Sequence, residues 1–342
     1  MKRLPVIQTV AQMPAYDPEI DGITNSLLTT WGSCREKARL SLRGVTKRSS
    51  GMGLTYGGIT HWLLEHVYDD HRTGKLQLTN GTLSKSYVAS YLQKVETLWK
   101  KENPMADAAT LSFYELTMLL NEHLMPIYFQ HWKSDFVKTA WVALESEFKI
   151  PFEVTRNGIT YKTFLRGKRD GVFTRRGGSR RWLFETKTKS RIDEGTLVDL
   201  LPFESQVNLY LVAMLLETGE IPAGVLYNII RRPALRQKKN ESIQAFAKRL
   251  VDDVKKRPAW YFLRQEMTID EKELDRYYGE LEDRVWEFIH WWKGLASHWK
   301  ESSNCENKYG ICHYLPICSR RDYTTFFVRD RVFRELAEDA TV

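Results

Sequence analysis

The chain has 342 residues and a formal net charge of +8, and 42% of its residues are hydrophobic. This apolar content is enough for a packed core and excludes an intrinsically disordered chain, while no apolar run approaches the roughly 18 residues of a membrane-spanning helix. The N-terminal segment has no apolar stretch of signal-peptide length. We therefore expect a soluble, cytoplasmic protein without a membrane partner, whose positive charge suits a polyanion.

The N-terminal part of the chain is predicted to be helical. Residues 22–43 show the pattern of a helix that begins near Ser26 and contains Cys34. A loop rich in Gly, Ser and Thr is expected at 44–58.

A second helix is predicted from the sequence GGITHWLLEHVYDDHR, which includes His61 and His66. These histidines are five residues apart and diverge on a helix, whereas zinc-protease helices place two histidines at i and i+4. Apolar residues at helical spacing predict amphipathic helices at 84–101 and 107–133.

Three β runs follow between residues 141 and 188, and the last two predict a hairpin. A two-residue turn at Gly177 and Gly178 would place Asp170 directly opposite Glu185. Opposed side chains have Cβ atoms roughly 5 Å apart, so a hard cation with oxygen ligands can lie between these carboxylates.

Lys187 lies two residues beyond Glu185, and its side chain is therefore expected on the same face of the strand. Two acids and a lysine around a metal suit phosphodiester hydrolysis. The metal polarises the phosphate and lowers the pKa of water, and the lysine orients the water or offsets developing charge. A solvated salt bridge on an ordinary hairpin is the alternative interpretation.

The hairpin is followed by a predicted helix at 202–217, with Pro202 in its first turn, and by a buried strand at 224–232. Gln206 and Tyr210 are one helical turn apart and share a face. The order β-β-β-α-β predicts an α/β fold with a mixed central sheet flanked by helices. The chain contains no GxxxxGK[ST] loop.

The C-terminal part is expected to be mainly helical, with a strand-like interruption at 258–269 and a helix from about 270 to 300. Its many Trp and Tyr residues are typical of a helical core, although aromatic side chains also stack single-stranded bases.

Basic runs surround the predicted hairpin, and we expect them to contact DNA phosphates. Solvated charge is the usual alternative for such runs. The candidate DNA-binding residues are Arg175, Arg176, Arg180, Arg181, Arg231 and Arg232.

The four cysteines are Cys34, Cys305, Cys312 and Cys318, and three of them lie close together near the C-terminus. Nothing in the sequence indicates the oxidising compartment that disulfides need. Four thiolates suit Zn²⁺ or an iron–sulfur cluster. Zinc sites usually contain pairs of cysteines two to four residues apart, and their absence here favours an iron–sulfur cluster.

The combination of these motifs resembles the iron–sulfur branch of the RecB-like PD-(D/E)XK nucleases, which includes AddB-type and CRISPR-adaptation exonucleases. The resemblance covers residues 26–320. The matching motifs, in chain order, are GGITH with His61, LRGKRDG with Asp170, FETK with Glu185 and Lys187, and QVNLY with Gln206 and Tyr210. Arg169 stands where the family name has proline.

The resemblance implies a restriction-endonuclease-like core at 141–235, a mainly helical region at 1–140 and a helical C-terminal region at 236–342, in one integrated unit. It implies that His61, Asp170 and Glu185 bind Mg²⁺ or Mn²⁺, and that Lys187, Gln206 and Tyr210 position the water or the DNA strand. It also implies that the four cysteines hold a 4Fe–4S cluster.

We therefore expect a metal-dependent DNA exonuclease that acts in recombination, repair or end processing on single strands or duplex ends. A helicase, a recombinase or a CRISPR-adaptation protein is the expected type of partner. The alternative is a DNA-binding or CRISPR-adaptation partner module with limited or endonucleolytic cleavage. An inactive module is expected to lack one of the acids or the lysine, and this chain retains Asp170, Glu185 and Lys187.

Overall fold

The computed structural model describes residues 16–47, 55–76, 78, 83–102, 108–190, 192–307, 310–328 and 333. Residues 1–15, residues 48–54 of the predicted loop at 44–58 and Arg191 lie outside these ranges. Among the described helices, none combines the length and the apolar character needed to cross a membrane.

A mixed sheet forms the centre of the molecule, as predicted. Its strands are β1 (Ile23–Thr24), β3 (Thr139–Arg156), β4 (Ile159–Arg175), β5 (Arg181–Lys189), β6 (Gly224–Arg231) and β7 (Phe262–Thr268). The order is β1-β4-β5-β6-β7, and β3 pairs with the other edge of β4. The β1–β4 and β5–β6 pairs are parallel, and the other pairs are antiparallel.

Helices cover both faces of this sheet. In chain order they are α1 (Pro18–Asp21), α2 (Asn25–Ser33), α3 (Arg35–Leu42), α4 (Thr55–Arg72), α5 (Lys85–Glu102), α6 (Ala108–His131), α7 (Asp135–Lys138), α8 (Glu194–Leu200), α9 (Ser205–Thr218), α10 (Ile243–Lys256), α11 (Pro258–Tyr261), α12 (Glu271–Trp292) and α13 (Leu315–Arg320). One hydrophobic core joins α2, α9 and α12 to the sheet. A second core joins α4, α5, α6 and α10 to the sheet.

Two predicted helices have different boundaries in the structure. The helix predicted at 22–43 is interrupted at Cys34, which has extended backbone angles and separates α2 from α3. Gly32 and Ser33 directly precede the break, and both are weaker helix formers than Ala or Leu. Pro202 is not in the first turn of α9, because it belongs to a separate 3₁₀ turn at Leu201–Phe203.

The C-terminal strands also differ from the prediction. The segment predicted as a strand at 258–269 begins with the short helix α11, and β7 starts only at Phe262. Strand β1, two residues long, was not predicted, because parallel pairing with β4 is a tertiary contact that a short sequence window does not reveal. The aromatic residues of α12 are mainly core, since Trp291 and Phe288 are fully buried.

The two ends of the described chain pack against each other. Strands β2 (Val45–Lys47) and β10 (Phe326–Val328) form an antiparallel pair. The Tyr314 hydroxyl donates a hydrogen bond to the Val45 carbonyl at 2.6 Å. A third, small core lies beside this pair and includes Cys312 and Cys318 at its margin. Strands β8 (Glu306–Asn307) and β9 (Gly310–Ile311) form a small hairpin nearby.

Candidate functional site

The β4–β5 hairpin has the register that the sequence predicts. The pairs run from Thr174–Arg181 to Gly171–Phe184, and one further step in this register puts Asp170 opposite Glu185. The connection is longer than a two-residue turn, since the paired residues end at Thr174 and resume at Arg181. Gly177 still supplies the positive φ, at 84°, that the turn requires.

Asp170 is fixed beside β5 by a backbone hydrogen bond. The Thr186 N–H donates to Asp170 Oδ2 at 2.6 Å. Pairing between the described parts of β4 and β5 stops next to this contact, and β4 pairs with β1 further along the same edge, at Leu165 and Arg166. Asp170 and Glu185 therefore lie at the point where β4 and β5 separate, and a cleft opens there between the two strands.

A third carboxylate, Glu145, lies on the other side of Asp170. The pairs Leu144–Gly171 and Ser146–Arg169 place Glu145 opposite Asp170 on β3. Its φ is 43°, a left-handed conformation that a non-glycine residue rarely adopts within a strand. Backbone conformations of this kind are concentrated at functional sites.

Glu145 was not among the predicted site residues, although the sequence contains a signal for it. Asn157 and Gly158 both have positive φ and form the turn between β3 and β4. An Asn-Gly pair between two strands is the strongest short hairpin signal. The same register reasoning that places Asp170 opposite Glu185 would also have placed Glu145 opposite Asp170.

His61 reaches the acids from α4. Its Nδ1 lies 3.3 Å from Asp170 Oδ1 and 3.6 Å from Glu145 Oε1. Burial opposes the charged imidazolium, but the Asp170 and Glu145 carboxylates outweigh it and raise the pKa of His61 to about 10. The short distances place the ring where, once it has lost its proton, the neutral imidazole could share a cation with these two carboxylates.

Glu185 is the most deeply buried of the three acids, with a side chain only 1% exposed. Burial, together with the nearby Asp170 carboxylate, raises its pKa to about 8. Its Oε2 has no hydrogen-bond partner in the described part of the chain. Its Oε1 accepts a hydrogen bond from Lys187 Nζ at 2.6 Å.

Lys187 connects Glu185 to α9, as the shared face predicts. Its Nζ also donates to Gln206 Oε1 at 2.7 Å, and Gln206 Nε2 donates to the Tyr210 hydroxyl at 3.1 Å. Burial works against the charged ammonium, but the Glu185 carboxylate raises the pKa of Lys187 above its ordinary value. The lysine is therefore a fixed cation at the entrance to the acidic cluster.

A buried polar network supports the backbone that holds Asp170, and sequence reasoning did not identify it. Asn228 Nδ2 donates to Thr186 Oγ1 at 3.2 Å, and Arg264 Nε donates to Asn228 Oδ1 at 3.0 Å. Arg264 also donates to both Asp135 oxygens at 2.7 Å. The network fixes β5, β6 and β7 relative to α7 directly behind the site.

The residues present fit a divalent cation. One ligand atom each of His61, Glu145 and Asp170 lies within 4.8 Å of the other two, the one grouping of this kind in the described ranges. Carboxylate oxygens suit Mg²⁺, and an imidazole nitrogen in addition suits Mn²⁺. The predicted ligand Glu185 lies outside this group, but its unpaired buried oxygen is the kind of atom that a cation would satisfy.

The six predicted DNA-binding arginines do not form a single patch beside the acids. Strand β5 runs from Arg181 to Lys189 with Glu185 midway, and Arg231 pairs with Lys189. The hairpin arginines and the pair Arg231–Arg232 therefore lie at opposite ends of the strand. Strands β5 and β6 are parallel, so the C-terminal end of β6 lies beside the C-terminal end of β5. The hairpin arginines lie at the other, N-terminal end of β5.

Three of these arginines have partners within the protein. Arg175 pairs with Glu266 and Arg231 with Glu194, and Arg180 donates to backbone carbonyls that include that of Pro222. The side chains of the other three have no hydrogen bond or ion pair within the described residues. These are Arg176, Arg181 and Arg232.

The four cysteines gather where α2 and α3 meet the C-terminal segment. All four are half-buried free thiols. Burial raises the pKa of Cys318, with Glu36 and the neighbouring Cys312 and Cys34 acting in the same direction. The Cys312 N–H donates to the Cys305 carbonyl at 2.8 Å. Cys34 therefore lies near cysteines that are far from it in the sequence.

The donor set suits more than one group. Four thiolates can bind a zinc ion or the irons of an iron–sulfur cluster. All four thiols are free of disulfides, so each could serve as a ligand.

Comparison with known proteins does not assign a family. No protein-family model matches the chain, and no curated protein matches it. The crystal structure of SSO0001 is 19% identical to this chain, and the match covers 59% of this chain and 87% of that one. Its TM-score is 0.19, which is too low to support an argument about function.

Proposed function

We propose that this protein is a metal-dependent deoxyribonuclease with a PD-(D/E)XK-type core, which acts as an exonuclease on DNA ends in recombination, repair or end processing. The observation that carries the proposal is the row of Glu145, Asp170 and Glu185 on three neighbouring strands, with His61 above it and Lys187 bonded to Glu185. Three acids so close together repel each other unless a cation lies among them.

The protein side chains have separate roles in this proposal. His61, Glu145 and Asp170 would hold the cation, and Glu185 would complete its surroundings. When bound, Mg²⁺ or Mn²⁺ would polarise the scissile phosphate and lower the pKa of a water molecule. Lys187 is held by Glu185 and Gln206, so its ammonium can orient the attacking water and offset the charge that develops on the phosphate.

Gln206 and Tyr210 keep the lysine in place. Without the amide oxygen of Gln206, the lysine would retain only Glu185 as a hydrogen-bond partner among the described residues. Tyr210 in turn orients the Gln206 amide through the hydrogen bond from Nε2. Both are therefore positioning residues for the lysine.

The cysteines are proposed to hold a 4Fe–4S cluster with a structural role. Their sulfurs belong to a separate part of the molecule from the acidic row, next to the β2–β10 pair and the small third core. The cluster would link α2 and α3 to the C-terminal segment. Cleavage chemistry does not involve it.

The experiment that tests the activity uses end-labelled single-stranded and duplex DNA with Mg²⁺, Mn²⁺ or EDTA. We expect degradation from the ends with either metal and none with EDTA. Asp170→Asn, Glu185→Gln and Lys187→Ala should each lower the rate by at least about a hundredfold, because each removes a ligand or the charge beside the water.

The control is Asp252→Asn, which neutralises an exposed acid on α10. It should cleave at the wild-type rate. A contaminating nuclease would give equal rates in all five preparations, and that result would refute the proposal.

A further inference from the structure

A second polar site lies next to the acidic row. It is a cavity of about 170 Å³ where the start of α4 meets the ends of β5 and β6. Its lining consists of Tyr56, Gly57, Thr188, Ser190 and Arg232. We call it the Arg232 cavity. Among the described residues no carboxylate lines it, in contrast to the metal site.

The cavity contains donors that the protein does not use. The guanidinium of Arg232 is exposed and has no ion pair, hydrogen bond or stacked ring within the described ranges. The Tyr56 hydroxyl has no hydrogen-bond partner there, although Tyr56 is only 3% exposed. Thr188 and Ser190 add two further hydroxyl groups. A buried hydroxyl without a partner is costly, so a ligand that accepts its hydrogen bond would be favoured.

The charge around these donors favours an anion. Arg232 and Tyr56 line the same cavity, so the guanidinium charge lies near the hydroxyl. Burial raises the pKa of Tyr56, whereas the Thr60 side chain and, to a smaller extent, the positive charge of Arg232 act in the opposite direction. The cavity also lies at the start of α4, an 18-residue helix whose dipole is positive at this end. An anion with several acceptor oxygens matches this set of donors.

Close packing of α4 on β5 shapes the cavity. A Cβ atom on Gly57 would lie 2.9 Å from Thr188 Oγ1. Only glycine therefore lets the helix start lie against this hydroxyl without displacing it. The need for glycine at position 57 thus reflects the close approach of the start of α4 to the Thr188 hydroxyl.

The cavity is adjacent to the proposed metal site on two elements. On α4, His61 follows Gly57 by one turn, a rise of about 6 Å. On β5, Thr188 directly follows Lys187 and points to the opposite face of the strand. The cavity therefore lies within about one helical turn of His61, on the face of β5 that α4 covers.

We propose that the Arg232 cavity binds a phosphate group of the DNA strand, next to the phosphate that is cleaved. This inference rests on the nuclease activity proposed above. It assigns Arg232, Tyr56, Thr188 and Ser190 to substrate binding. Arg231 is not included, because its guanidinium pairs with Glu194 and lies over Trp260.

The first test measures binding of a single-stranded oligonucleotide in EDTA, so that no cleavage occurs. Arg232→Gln should weaken binding by about tenfold, as expected for one charge-assisted contact. It should also reduce the slope of log K against log salt by about 0.7, the value for one phosphate on a single strand. Tyr56→Phe should weaken binding by a smaller factor with the slope unchanged.

Two control variants match these changes elsewhere. Lys272→Gln removes one exposed positive charge at the start of α12. Tyr114→Phe removes another buried hydroxyl without a partner in the described residues, on α6. Both should bind like the wild type. If Lys272→Gln and Arg232→Gln weaken binding equally, the effect of Arg232 is general electrostatics and the proposal is wrong.

The second test identifies the phosphate. Oligonucleotides in which one phosphate at a time is replaced by an uncharged methylphosphonate should lose affinity for the wild type at one position more than at the others. Arg232→Gln should be insensitive at that same position, because the two changes remove one contact. Substrates with a phosphate or a hydroxyl at either end show whether the contacted group is internal or terminal.

Equal losses at every position in both proteins would overturn the proposal. Because this measurement needs no divalent cation, it is independent of the cleavage assay. A protein that binds with this position dependence but does not cleave would retain the phosphate site and lose the nuclease assignment. A protein that cleaves DNA but binds without any position dependence would retain the nuclease assignment and lose the phosphate site.

Discussion

At the scale of single residues, the most informative feature is the burial of Glu185. A carboxylate that is only 1% exposed, with one oxygen unpaired in the described structure, is expensive to keep charged. Lys187 offsets part of this cost through one hydrogen bond. A cation near the second oxygen would offset more of this cost. Cation binding is therefore expected to stabilise the charged form of Glu185.

Glu145 gives a prediction at this scale, because it joins His61 and Asp170 in the metal grouping. Glu145→Gln should lower the affinity for Mn²⁺ by about tenfold or more, since loss of a metal contact typically has an effect of at least this size. The measurement is a titration of cleavage rate against Mn²⁺, with direct metal binding by calorimetry. Saturating Mn²⁺ should restore much of the rate.

The matched control is Glu147→Gln, two residues further along β3, where the side chain is exposed. It should leave the Mn²⁺ affinity unchanged. Equal Mn²⁺ affinities for wild type and Glu145→Gln would show that Glu145 only pairs with Lys168, its partner at 2.9 Å.

At the scale of elements, local patterns predicted what depends on local chemistry. The turn glycines and strand periodicity gave the β4–β5 register, and therefore placed Asp170 opposite Glu185 and Lys187 on the same face. The helices α4, α5 and α6 also agree with the sequence within a few residues. These features follow from steric and periodic rules that a short window of sequence contains.

Features that depend on tertiary contacts could not be predicted in this way. The two-residue strand β1 exists because it pairs with Leu165 and Arg166, far away in the sequence. The network from Asp135 through Arg264 and Asn228 combines residues of different elements without any motif. Glu145 is an intermediate case, because its signal, the Asn157–Gly158 turn, was present in the sequence.

The glycine of β4 that precedes Asp170 by three residues gives a prediction at this scale. A Cβ on Gly167 would lie 2.7 Å from Phe148 Cζ and 2.8 Å from Tyr210 Cε1. Gly167→Ala should therefore displace Tyr210 and disturb the Gln206–Lys187 contact. We expect a loss of about 1–3 kcal/mol in unfolding free energy, as for other overpacked cores, and a reduced cleavage rate.

Denaturant unfolding and the cleavage assay measure these two effects. Gly279→Ala on α12 is the control, because no heavy atom lies within 4 Å of the added Cβ. It should stabilise the protein by about 0.5–1 kcal/mol, since alanine is the better helix former. If Gly167→Ala unfolds and cleaves like the wild type, the packing around Tyr210 does not position the lysine.

At the scale of the whole molecule, several contacts join the N-terminal helices to the C-terminal segment. Beyond the β2–β10 pair, Asn304 Nδ2 donates to the Ser33 carbonyl at 2.6 Å, directly beside Cys305 and Cys34. Glu36 N–H donates to the Trp299 carbonyl at 3.3 Å. Cys34, at the break between α2 and α3, therefore lies beside these contacts with the C-terminal segment.

The last prediction concerns this connection between the chain ends. Protein purified without oxygen should be brown and contain iron and acid-labile sulfide. Cys312→Ala should lose the colour, the iron and much of the thermal stability, because a cluster that joins Cys34 to the C-terminal cysteines closes a loop containing most of the chain. If the chain-entropy relation for disulfides applies, a cross-link of that length destabilises the unfolded state by about 5 kcal/mol.

Glu185→Ala is the reciprocal control, and it should keep iron and colour while losing cleavage. Measurements of metal content, melting temperature and cleavage on both variants therefore separate the structural group from the catalytic one. Stoichiometric zinc without iron would replace the cluster by a zinc site and retain the same connection, since either group binds thiolates from both chain ends. Four thiols that react freely in the folded protein, with neither metal bound, would contradict both. Contacts such as the β2–β10 pair, the small third core and the Asn304–Ser33 hydrogen bond would then hold the chain ends together.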